Sequence, residues 1–206
     1  VFLPILISFH ITVFLILQSD LIFTLSPITT LFSLTPFDNC TFFPNKWLKS
    51  LDQFKAVTIE LSIDGVELVN DYVRHGKTWN TVDAVTKQWA EYSANTSVDM
   101  AVYSTVQAYN LHDMKRVKQY ATDLGFKHYS SLLVVPEFLS VHVLPQKYLD
   151  DIKDDYNIKY YKSIEQNNLF DKFVDFTYNI DKVTGLQLKD VNMELYKYME
   201  EHYEYT

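Results

Sequence analysis

Cysteine is almost missing from this chain, since Cys40 is the only one. A lone thiol excludes an intramolecular disulfide and any multi-cysteine metal site built by this chain alone, and the chain accordingly reads as cytoplasmic. Glycine is scarce as well, at four residues. There is no Gly-rich phosphate loop, no Gly-x-Ser-x-Gly elbow and no paired-histidine metal motif. The six histidines are scattered. His75, His112, His128 and His142 read as surface or capping residues, because a metal site needs several ligands converging. Lysine and arginine are absent from residues 1–45, which carry only two acids, Asp20 and Asp38. Over the full chain, 18 basic against 26 acidic residues leave a net charge of −8. That balance argues against a general nucleic-acid or anionic-membrane surface.

What is present is an apolar fraction of 48% and an aromatic fraction of 16% over 206 residues. These belong to a globular chain with a sizeable core. The first 17 residues, Val1 to Leu17, are almost wholly apolar, interrupted by Pro4, Ser8, His10 and Thr12. They lie at the lower limit of a bilayer span and lack the basic flank that orients one. Residues 1–37 therefore read as a segment of doubtful origin, foreign to the fold, with a buried strand pair in the apolar start or a membrane anchor through residues 1–25 as the alternatives. Because it starts at Val1 and not at Met, the chain reads as a fragment.

The stretch Val57-Thr-Ile-Glu-Leu-Ser-Ile-Asp-Gly65 organises the rest. Val57, Ile59, Leu61 and Ile63 alternate with Thr58, Glu60 and Ser62, the period-two signature of a strand with two unlike faces. Helical patterns flank it, so a parallel strand in an α/β fold is expected, with Asp64-Gly65 at its C-terminal end. A helix opening at Pro44 precedes it and uses Trp47, Leu48, Leu51 and Phe54. Thr78 or Asn80 caps a helix carrying Val82, Val85, Trp89 and Tyr92 on one face. A strand follows over 98–106, then a helix with Leu111, Met114, Val117, Ala121 and Leu124, closed by Gly125. Tyr129 to Val135 reads as a third strand ended by Pro136, and Val141 to Leu144 as extended. Pro145 opens a helix using Tyr148, Leu149, Ile152 and Tyr156. Beyond Ser163 two helices are expected, with stripes Leu169, Phe173, Phe176 and Val191, Leu195, Tyr198, separated by Gly185.

Ser62-Ile-Asp-Gly65, followed by Asn70-Asp71-Tyr-Val-Arg74-His-Gly76 and Trp79, resembles the fourth-strand region of radical S-adenosylmethionine enzymes. Ser104-Thr-Val-Gln-Ala-Tyr-Asn110 looks like that family's fifth strand, and Leu132-Leu-Val-Val135-Pro136 like its sixth. Leu139-Ser-Val-His-Val-Leu144-Pro145 matches a segment of members with a short C-terminal extension, and Asp38-Asn39-Cys40-Thr41 resembles the end of the third strand. The resemblance spans about residues 38–200. It implies a partial parallel (β/α) barrel over 38–145 and a helical C-terminal extension over 146–206. It also implies an S-adenosylmethionine site, with Ser62 and Asp64 near the ribose or amino-acid end, Arg74 on the carboxylate, and Asn110, Val134 and Val135 beside the nucleoside. Read by chemistry alone, Ser62 satisfies a neighbouring backbone group, Asp64 shapes a turn, or Arg74 forms a surface ion pair.

Members of that family hold a 4Fe–4S cluster on a Cys-x3-Cys-x2-Cys loop, and this chain has no such loop. Cys40 reads as a small core residue instead. No catalytic or metal-ligating residue is assigned. The resulting expectation is the S-adenosylmethionine-binding half of an enzyme whose parent cleaves that cofactor reductively to a 5′-deoxyadenosyl radical, the half itself being inactive. An external reductant and an unidentified small-molecule or peptide substrate would be the partners, with no nucleic acid. A non-enzymatic α/β binding module and a membrane-anchored protein are the alternatives.

Overall fold

A computed structural model describes residues 22–26, 33–38, 40, 42–45, 48–53, 56–152 and 169–204. Five strands form one sheet in sequence order, β1 (Ile22–Ser26), β2 (Ser33–Asp38), β3 (Ala56–Ser62), β4 (Val98–Val106) and β5 (Lys127–Leu132). β1 pairs antiparallel with β2, while β2, β3, β4 and β5 pair in parallel. Each parallel step from β3 onward is made by a helical crossover. α1 (Leu68–Val73) and α2 (Trp79–Ala94) link β3 to β4, and α3 (Met114–Asp123) links β4 to β5.

The expected partial barrel is not found. The strand order is linear, and the sheet begins with an antiparallel strand where a barrel requires parallel pairing throughout. The antiparallel strand lies in the apolar 1–37 stretch, whose composition carried no pairing information.

The alternation on β3 becomes two sheet faces. Val57, Ile59 and Leu61 are buried, and Thr58, Glu60 and Ser62 are half-buried. The register sets Ile59 beside Met100 and Leu61 beside Val102, so the buried rows align across strands. Val82, Val85 and Trp89 of α2 and Val117 and Ala121 of α3 supply the apolar stripes of the helices packed behind them. Phe43 meets Trp89 edge-on at 4.8 Å between ring centroids. Cys40 lies fully buried in the same cluster.

Five local expectations change. The helix expected from Leu111 begins at Met114, after a 3-10 turn over Leu111–Asp113, and the second helix, expected beyond Gly185, is divided at Asn192. The helix expected from Pro44 is a 3-10 turn over Leu48–Gln53. The third read strand begins two residues earlier and ends three earlier, at Leu132, because after the bond from Leu133 N to Val106 O (2.8 Å) the chain turns toward Pro136. Val141–Val143 is a 3-10 turn rather than extended, with the Ser140 hydroxyl accepting from His142 N. Tyr156 lies outside the described residues.

The C-terminal elements are α4 (Gln146–Asp151), α5 (Leu169–Thr184), α6 (Leu188–Val191) and α7 (Met193–Glu204). They share the core of the sheet domain through Leu149, Phe173, Leu188 and Leu195. Polar ties reinforce this: Tyr72 OH donates to Asp181 Oδ1 at 2.7 Å, and Tyr109 OH meets Thr177 Oγ1 at 2.8 Å. Among the described residues, no helix is long and apolar enough to cross a membrane.

Candidate functional site

The C-terminal edge of β3 and β4 gathers most of the residues singled out from the sequence. Asp64 accepts from Arg74 Nε at 2.9 Å through Oδ2 and from Thr105 N at 2.7 Å through Oδ1. Arg74 also donates to Ser62 Oγ. Asn110 Nδ2 donates to the Asp64 carbonyl at 2.7 Å and to the Thr105 carbonyl at 2.9 Å, while its Oδ1 accepts from Gln107 N at 2.7 Å. The side chains of Arg74 and Asp64 are only 18% and 12% exposed.

Close packing holds this corner. A Cβ on Gly65 would stand 2.6 Å from Val69 Cγ1 and 2.9 Å from Asn70 N, which explains why glycine follows Asp64. A second buried acid, distant in sequence, reaches the same corner from the start of α3. Asp113 accepts from Val66 N at 2.7 Å and pairs with Arg116 at 3.0 Å, and Arg116 reaches Glu67 at 2.6 Å. Burial raises the Asp113 pKa against the lowering effect of the Val66 amide and of Arg116.

The arrangement is a set of bonds within the chain. Ser62, Asp64, Arg74 and Asn110 direct polar atoms at one another and at the strand-end backbone. That is the chemistry of a scaffold that fixes where two strands end and their loops begin. Among the described residues, no group of three or more His, Cys, Asp or Glu is placed to hold a metal ion.

Val134 and Val135 are not part of this set. They follow β5, 72% and 76% exposed. Beside them is a cavity of about 320 Å³ lined by Leu132, Leu133, Val134, Glu137, Val143 and Leu169, among others. The neighbouring open face of the sheet carries Glu60, Ser62, Tyr103 and Thr105, half-buried, and Lys127, Tyr129 and Ser131, exposed. Tyr129 is 49% exposed. Burial raises the Glu60 pKa. Ala101, on the same face beside Glu60 and Lys127, is buried. Sequence reasoning missed Tyr129 and Glu137. The parity of β5, which sets Tyr129 beside Tyr103, was the available signal for the first; nothing local marked the second.

Fold and site thus define an α/β sheet domain with a structural strand-end network, one polar sheet face left partly open and an apolar cavity at its edge. Over residues 21–133, just over half of the chain, the sequence matches the family described as tumour necrosis factor receptor, SECRET domain, and the chain belongs to that family. No curated protein and no solved structure matches it.

This membership overturns the radical S-adenosylmethionine resemblance, since the matched residues include Ser62, Asp64, Arg74 and Asn110 on which it rested. The expected enzyme fragment falls with it, as do S-adenosylmethionine and the 4Fe–4S cluster as cofactors. The cytoplasmic reading is also withdrawn, because a receptor-type domain of this family points outside the cell. Cysteine scarcity misled there: it reports on disulfides, and a domain with a full apolar core does not need them. A protein is the class of partner that the family implies.

Proposed function

We propose that this chain is a secreted protein-binding module whose partner is a chemokine or a similarly small basic protein. The observation that carries the reading is the family match over 21–133. The open face of β3, β4 and β5 supports it, because its tyrosines are the residue type favoured at protein contacts. The net charge of −8 complements a basic partner and would speed encounter. In this reading Ser62, Asp64, Arg74 and Asn110 keep the strand ends rigid, and Val134 and Val135 contribute apolar contact.

The test is surface plasmon resonance of the full chain against a panel of purified chemokines. Saturable binding of at least one, weakened about tenfold or more by Tyr129→Ala, is expected. No binding across the panel would overturn the reading. Because Tyr129 is half in solvent, its replacement leaves folding largely intact, and a thermal melt verifies that.

A further inference from the structure

We propose that the cavity after β5 is the socket for one aromatic or long aliphatic side chain of the protein partner, with a cationic group beside that side chain facing Glu137. This deepens the proposed binding function and rests on it. The apolar walls are Leu132, Leu133, Val134, Val143 and Leu169, and Ser140, His142 and Glu137 are the polar groups of the lining. The cavity volume, about 320 Å³, lies at the lower end of ligand-site sizes and suits a single large side chain.

Two further observations choose the occupant. Val134 and Val135 extend the apolar surface out of the cavity into water. Isolated exposed apolar residues are ordinary, but an adjacent pair at the mouth of an apolar cavity forms a patch. A free small molecule filling the cavity would leave that patch wet; a protein segment carrying an anchor side chain covers both. Glu137, exposed at the rim, is the acidic group of the lining. With a chain charge of −8 it favours a cation next to the anchor and disfavours an anion. Desolvated aromatic anchors ringed by polar contacts are the usual energetic centre of such interfaces.

The experiment has two arms. In the first, tryptamine, an aromatic ring with an attached ammonium, is titrated into methyl-labelled full chain and followed by NMR, with indole-3-acetate as the charge-reversed control. Tryptamine is expected to shift the methyls of Leu132, Leu133, Val134, Val143 and Leu169 at millimolar concentration. Glu137→Gln is expected to weaken it about three- to tenfold, and indole-3-acetate to bind less. Absence of shifts at these methyls, or equal binding of both indoles, overturns the proposal. In the second arm, the chemokine bound best by the wild type is measured against Val134→Lys, which places a cation at the mouth and leaves the core untouched. A loss of tenfold or more supports the socket. Unchanged affinity sinks the socket and leaves the binding function standing, whereas no chemokine binding by the wild type sinks the binding function itself.

Discussion

Asp64 is where a short sequence motif becomes three-dimensional constraint. One carboxylate oxygen fastens the Thr105 amide of β4, the other holds Arg74, and its carbonyl receives Asn110. The approach of Ser62, Asp64 and Arg74 was legible because strand parity and a short connecting helix bring those positions to one edge. Their purpose was not, since a forked Arg–Asp pair looks the same in sequence whether it grips a ligand or its own strand ends. Asn110 carries the most bonds at no exposure. Asn110→Ala is therefore expected to cost about 2–4 kcal/mol, since it strands the Gln107 amide and two carbonyls. Urea denaturation measures this, and a loss below half a kcal/mol would show that the network is dispensable. Gly65→Ala tests the packing of the same corner. Its methyl would have to displace Val69 and the α1 backbone, so a loss of about 1–3 kcal/mol is expected from the same titration.

At the scale of elements, long periodic segments were readable and their ends were not. The β3 strand and α2 stand within about two residues of where alternation and helical spacing put them, because each has one clean buried face, whereas α3 begins three residues after Leu111, which lies in a 3-10 turn. The turn over Val141–Val143 was misread because two valines flanking a histidine alternate like a strand; the Ser140 hydroxyl, invisible to that pattern, nucleates a turn instead. The joint between the sheet domain and the C-terminal helices was not legible at all, because its members are far apart in sequence. Asn192 Nδ2 lies 3.0 Å from His112 Nδ1 and donates to Tyr148 OH at 2.8 Å, while Asn192 Oδ1 accepts from Leu195 N at 3.0 Å.

Burial, aided by Arg116, holds the His112 pKa down to about 4 from an ordinary 6.5. Between those values the unfolded chain takes up the proton and the folded chain resists it. The contribution is complete above pH 6.5 and is lost as pH falls toward 4, by up to about 3 kcal/mol. His112→Gln should flatten this part of the stability profile. Identical pH slopes for variant and wild type, read from denaturation midpoints between pH 7 and 4.5, would refute the assignment.

For the whole molecule, helix and strand alternation fixed the layering but not the family. The pattern that fits a strand of a parallel barrel fits a strand of an open sheet equally well, and closure depends on β1, whose antiparallel course is written in a charge-poor stretch where Pro27 and Pro36 mark breaks without naming a partner. An acidic molecule binding a basic partner should do so with a rate that falls as salt rises. Association rates measured from 50 to 500 mM sodium chloride are expected to drop about tenfold or more, with dissociation rates changing less. A salt-independent association rate would show that the −8 charge plays no part in encounter.

Cys40, fully buried and the single thiol of the chain, gives the protein a chemical clock. A thiol reagent such as iodoacetamide adds one mass increment and has no second site to confuse the count. The rate of that increment reads how often the region between β2 and β3 opens. A domain held by its core should label slowly in buffer and rapidly in denaturant, and mass spectrometry of the intact chain would then follow its breathing without any engineered probe.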